Sequence, residues 1–195
     1  MDPHIPEGAP PDLFITDALD VRPTRVPDYD QEARAIQALA LRMGDDPSAV
    51  LPQFVDLALS ITGAVSGGLS LLEPAPAPGV FRWTFLRGTL SAFEGATTPR
   101  NFSPCGITLD RNAPVLSLHP ERVYDWIVEA KVTAPEVLLV PLHLGGGEPF
   151  GTLWVVADEG HFTRDHSTIL TELARCVAVA ADHWVAERGA ASALQ

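Results

Sequence analysis

The chain has 195 residues, 46% of them hydrophobic and 19% charged, which suits one domain with a real core and some extra at its ends. Its 13 Lys and Arg stand against 25 Asp and Glu, a net charge of −12, and a surface of that sign argues against nucleic acid and membrane as partners. The two cysteines, Cys105 and Cys176, lie far apart with no C-x-x-C, which argues against a disulfide framework or a structural zinc site, and the acidic start with no spanning-length apolar run predicts a cytoplasmic setting.

Residues 1–29 carry Pro3, Pro6, Pro10, Pro11, Pro23 and Pro27 and read as an extended or disordered leader. Two readings of Leu13-Phe14-Ile15 stand side by side: docking on the body, or a floppy leader. From residue 30 the spacing of Ile36, Leu39, Ala40 and Met43 predicts a helix, with Asp28 or Asp30 available as N-cap. After Gly44-Asp45, Asp46 and Pro47 read as N-cap and N1 of a second helix, and Pro52 is expected to bend or fray its first turn. Gly63 ends it.

Residues 67–73 and 80–87 predict two strands of a hairpin, the second with Phe81, Trp83 and Phe85 on one face. Residues 88–101 read as irregular, with a helical turn near Leu90. Ser103 and Pro104 then predict a capped short helix that stops at Asn112-Ala113-Pro114. A short strand over 115–118 and a helix over 120–129 follow. Residues 137–144 and 151–157 predict a second hairpin through Gly145-Gly146-Gly147. Thr163 is the expected cap of a last helix to about Arg188, with an apolar stripe of Ile169, Leu170, Leu173, Cys176, Val177, Ala180 and Trp184. The order predicts an α+β fold with a mainly antiparallel sheet.

Four stretches resemble the GAF family, and in particular the GAF input domains of bacterial sensor histidine kinases. They are Ala64-Val65-Ser66-Gly67-Gly68-Leu69-Ser70-Leu71-Leu72; Thr98-Pro99-Arg100-Asn101-Phe102-Ser103-Pro104-Cys105-Gly106 with Asp110-Arg111-Asn112-Ala113-Pro114; His119-Pro120-Glu121-Arg122; and Leu139-Val140-Pro141-Leu142 with Gly151-Thr152-Leu153-Trp154-Val155-Val156. The resemblance covers residues 30–188 and leaves 189–195 as a tail. It implies a PAS-related, GAF-like sheet of about six strands with helices on both sides, and a ligand pocket on one face. It also implies a homodimer through the first and last helices, which places Ile36, Met43, Ile169, Leu173, Val177, Ala180 and Trp184 at the interface. No effector follows Arg188 in these residues, so a kinase or regulator in trans is the expected downstream partner, and the chain is either free-standing or a fragment.

Trp83, Phe85, Tyr124, Trp126 and Trp154 are candidate pocket walls, with plain core packing as the competing reading. Arg100, ahead of Arg111 and Arg122, is the candidate for an anionic ligand group, against an ordinary ion pair. Cys105, at the second position of its helix, is placed where the macrodipole favours a thiolate, against the reading of a small buried residue. The free methionine-R-sulfoxide reductases of the same family have a similar Cys-Gly motif, but their further cysteine has no counterpart between Ser117 and Val137. His119 and His143 are candidate axial ligands of a noncovalent tetrapyrrole or haem, while the six histidines show no metal-ligand spacing. No catalytic triad, phosphate loop or paired-carboxylate motif stands out, and the resemblance implies a small-molecule-sensing module of signal transduction rather than an enzyme.

Overall fold

Apolar residues alternate with small or polar ones along 68–71 and 81–84 and run almost unbroken along 137–142 and 153–157, and these segments pair into one sheet. The computed structural model describes residues 5–24, 29–43, 46–144 and 147–193. Six strands, β1 (Ser66–Glu73), β2 (Val80–Gly88), β3 (Thr97–Pro99), β4 (Val115–Leu118), β5 (Glu136–Leu142) and β6 (Gly151–Ala157), take the order β3-β2-β1-β6-β5-β4. Every neighbouring pair is antiparallel. The hairpins β1–β2 and β5–β6 thus lie side by side, joined through β1 and β6. β3 falls in the stretch read as irregular; three residues are too few to show a period.

Among the described residues six α-helices flank the sheet: α1 (Ala18–Val21), α2 (Tyr29–Ala40), α3 (Pro47–Thr62), α4 (Pro104–Arg111), α5 (Asp125–Glu129) and α6 (Arg164–Ala193). Both sheet faces are covered, so successive residues of β5 and β6 are all buried. Leu138, Val140, Leu153 and Val155 pack one way against Phe54 and Ala58 of α3 and Leu173 and Val177 of α6. Val137, Leu139, Trp154 and Val156 pack the other way against Ile107 of α4, Tyr124 and Ile127.

Local signals explain most helix ends. Asp46 accepts the amide of Ser48 at 2.8 Å, and Gly63 closes α3 in the left-handed region with φ 68°. α3 runs through Pro52, which near the start costs a single donor. Ser103 caps α4 by accepting the Gly106 amide at 3.2 Å, and Asn112 ends it at φ 45°. Asp30 lies inside the first turn of α2, and Asp28, the other expected cap, lies outside the described residues. The helix expected over 120–129 is divided into a 3-10 turn, Pro120–Arg122, and α5, because Tyr124 between them is extended at ψ 93° and wholly buried. Tertiary burial there overrides helical spacing. Thr163 does not cap α6 with its hydroxyl; its backbone amide donates to His166 Nδ1 at 3.3 Å.

The described part of the leader is docked. Leu13 is buried, Phe14 bridges Ser117, Ile15 N–H donates to Leu116 O at 2.9 Å, and Leu118 N–H donates to Leu13 O at 2.9 Å. The segment extends the sheet past β4 and covers its outer edge. It is anchored further on by Arg22, whose guanidinium donates to both oxygens of buried Glu136 at 2.9 and 2.7 Å and to Phe162 O at 2.7 Å.

Candidate functional site

β2, β5 and β6 form a floor, and α4, the turn after β4 and α5 form a roof. Between them lies a cavity of about 50 Å³. Its wall includes Trp83 of β2, Trp154 of β6, Trp126 and Ile127 of α5, and Cys105 of α4. The Trp83 ring stands edge-on to Trp126 with centroids 5.9 Å apart, and tilts against Trp154 at 5.3 Å. Trp126 Nε1 donates to Phe102 O at 3.0 Å, and Trp154 Nε1 donates to Ser70 Oγ at 2.9 Å. Trp83 Nε1 and the Tyr124 hydroxyl are buried with no hydrogen-bond partner among the described residues. Each such group costs roughly 1–3 kcal/mol to desolvate, a cost that an acceptor brought into the site would offset. Burial pushes the Tyr124 phenol above its ordinary range.

Cys105 sits at the second position of α4 as its motif predicts, yet it is only 6% exposed. Burial raises its thiol pKa and outweighs the lowering effect of its contacts with Thr152 and Ser70. Desolvation therefore wins over the helix terminus, and the neutral thiol is favoured. Cys176 is on α6, packed against the opposite face of the sheet, so the two sulfurs cannot meet without disrupting the core.

The remaining predicted residues divide by position. Tyr124 lies behind the wall, its ring 5.1 Å from Phe102 and 6.3 Å from Trp126. Phe85 is not on this face. A register slip between Gly67–Arg87 and Leu69–Thr84 places an extra residue in β2, and Phe85, at φ 57°, turns to the helix side and meets Trp184. Arg100 does not face the cavity: it bonds Asp110 at 2.5 Å and Gly106 O at 3.2 Å, bracing α4 from outside. Arg122 pairs with Asp12 at 3.0 Å, and Arg111 lies over the Phe14 ring at 5.3 Å.

His119 is off the wall, held between Glu159 at 2.5 Å and Glu121 at 2.8 Å. The bonds to Glu159 and Glu121 raise its pKa, which favours the imidazolium and opposes a role as axial ligand. His143, just beyond β5, is also off the wall. A tetrapyrrole or haem does not fit: the cavity is far smaller than a macrocycle, and neither histidine faces it.

The predicted interface residues are also reassigned. Leu173, Val177 and Ala180 are buried in the chain's own core. Ile36, Met43 and Trp184 are half-buried against the same core, and Ile169 is half-buried on α6. Among the described residues, the large apolar residues α6 leaves exposed are Val179 at 44% and Val185 at 39%. Leu90, Pro120, Val132 and Ala134 also line the wall, unforeseen; single apolar residues in loops carry no periodic signal. Ser70 and Thr152, which contact Cys105 from the sheet, had one faint signal, hydroxyls in the middle of apolar strands.

A family model described as GAF domain matches residues 44–182. Among solved structures, the GAF domain of a phosphoenolpyruvate-protein phosphotransferase from Coxiella burnetii aligns with a TM-score of 0.69 at 16% identity, over 83% of this chain and 99% of that one. Free methionine-R-sulfoxide reductase from Neisseria meningitidis, solved with its substrate, aligns at 0.63 and 16%, over 80% and 92%. The GAF domain of a protein described as a sensor histidine kinase from Pseudomonas syringae pv. tomato aligns at 0.54 and 17%, over 84% and 93%. No curated protein matches by sequence. Among the described residues no helix is long and apolar enough to cross a membrane.

Proposed function

This chain belongs to the GAF domain family, and from that premise we propose that it is a sensory binding module for a small, uncharged, mainly apolar molecule. The observation that carries this reading is the tryptophan-walled cavity in which one wall residue, Trp83, has an unpaired buried donor, Nε1–H. Apolar walls supply most of the affinity, and the unpaired donor favours a ligand that carries one hydrogen-bond acceptor. Nothing on the wall is charged, so an anionic or cationic ligand would enter at a desolvation cost without compensation. Larger ligands require the roof to move, and α5 with the loops around it is the short, thinly anchored part of the enclosure.

Xenon is the probe matched to a dry apolar space of this size. Three of the four tryptophans line the cavity, and xenon quenches indole emission as a heavy atom. Quenching is expected to saturate with xenon pressure in the native chain, and to become linear in Ala134→Leu, which fills the wall from a loop. Linear quenching of equal slope in both proteins would reject the cavity as a binding site.

The output is read in trans by a kinase or regulator, through a homodimer that packs the outer face of α6. Among the described residues, Val179 and Val185 are the large apolar residues that α6 leaves exposed, about 120° apart around the helix. Val179→Glu with Val185→Glu is expected to convert dimer to monomer in sedimentation while the melting curve of the fold persists. A native chain that sediments as a monomer at high concentration removes the dimer from this reading.

The structural likeness to a sulfoxide reductase does not extend to its chemistry. Cys105 is on the wall, but its thiol is neutral and the other cysteine lies across the sheet. A reductive cycle needs a nucleophilic thiolate and a second thiol within reach.

A further inference from the structure

Strand β2 carries two aromatic residues two positions apart, Trp83 on the cavity wall and Phe85 on the helix side of the sheet. In a regular strand positions i and i+2 share a face. The bulge between Thr84 and Arg87 reverses that rule by inserting one residue, and it leaves Phe85 in the left-handed region at φ 57°, an outlying conformation for a bulky side chain. Glu94 holds the bulge: its two carboxylate oxygens accept the amides of Phe85 at 2.8 Å and Leu86 at 2.7 Å. Trp83 is tied to the same loop, donating to Ala96 O and accepting from Gly95 N–H, both at 2.9 Å. That loop also supplies Leu90 to the cavity wall. On the far side, the Phe85 ring stands edge-on to Trp184 of α6 at 5.2 Å, nine residues before the last described helical residue, Ala193.

We propose that this bulge is a relay that carries the state of the cavity through the sheet to the outgoing end of α6. It rests on the sensory reading above and adds a route to it. Two wall residues, Trp83 and Leu90, flank the bulge through strand and loop. A molecule that displaces either one shifts the Glu94 clamp and rotates Phe85 against Trp184. A bulge suits this task because it has a discrete alternative, the regular register, in which Phe85 would return to the cavity side. A ligand biases the two arrangements only through contacts that differ between them, and Phe85, on the helix side here and on the cavity side in the regular register, makes that difference.

The test uses the full chain with 5-fluorotryptophan, which gives four fluorine resonances assigned by single Trp→Phe substitutions. Under xenon, the resonances of Trp83, Trp126 and Trp154 are expected to shift with pressure. That of Trp184, across the sheet, should shift over the same pressure range. In Phe85→Leu the three cavity resonances should still move, while the Trp184 response falls to within its line width. Ala134→Leu should silence all four. A silent Trp184 beside moving cavity resonances overturns the relay and leaves the binding site intact. A Trp184 response that survives Phe85→Leu overturns the route. Cavity resonances that never move overturn the binding site, and the relay with it.

Discussion

Arg22→Ala is expected to lower stability by about 3–5 kcal/mol, the range for stripping one partner from a buried ion pair, and to depress Tm by roughly 6–20 °C in a chain of this length. The carboxylate of Glu136 is fully buried at the start of β5. It accepts two bonds from Arg22 and one each from the amides of Gly160 at 3.0 Å and Phe162 at 2.8 Å. Burial by itself would raise its pKa; the guanidinium and the two amides outweigh that and hold it below the ordinary carboxylate range. A folded pKa below the unfolded one gives stability that is present above the unfolded pKa and is lost as pH falls through the folded value. Without Arg22 the burial effect dominates, so the deficit should be largest near neutrality and shrink in acid. Calorimetry of both proteins at pH 7 and pH 4 measures this. Replacing both partners by apolar residues should cost less than Arg22→Ala alone, because no charge is then stranded. A change in Tm under about 2 °C for Arg22→Ala, less than one kcal/mol at this size, would mean that the leader is not anchored through this pair.

That pair marks where sequence reading stops. Arg22 and Glu136 are 114 positions apart, and nothing local in either neighbourhood names the other. What local chemistry governs was legible: Asp46 and Ser103 at their helix starts, Gly63 and Asn112 at helix ends, and the apolar residues of the long strands, alternating in β2 and continuous in β5 and β6. The Gly67-Gly68 pair carried more than it showed. Gly68 lies opposite Trp154 in the β1–β6 register, and a Cβ there would meet Leu86 at 2.3 Å and the Trp154 ring at 3.2 Å. Gly68 is small so that a cavity tryptophan can lie across it.

The misplacements have one cause, a distant partner. Phe85 leaves the face its spacing assigns because Glu94 clamps a bulge. Leu173 and Val177 form a stripe that fits a partner helix as well as the chain's own sheet, and the sheet takes them. Cys105 was placed correctly, but depth, which sequence does not report, decides its ionisation.

Trp154→Ala is expected to cost about 3–5 kcal/mol by the lost indole and the space it leaves, and part of that loss should be recoverable by a small molecule. Trp154 belongs to β6, which pairs with β1 on one side and β5 on the other, so truncation there opens the floor of the cavity and leaves its rim in place. The Trp83 ring loses its neighbour at 5.3 Å, and Ser70 Oγ loses a donor. Ser70 keeps its contact with Cys105, so its hydroxyl is not left without a partner. The result is a larger apolar chamber continuous with the existing one. Indole, the group removed, should enter it and raise Tm with concentration, the stability gain reaching about 2.7 kcal/mol at a hundredfold excess over Kd. It should do nothing comparable for the native chain, whose cavity is too small, or for Phe54→Ala on the other face of the sheet. Indole that stabilises all three proteins alike, or none, would show that the space beside Trp154 is not a ligand chamber.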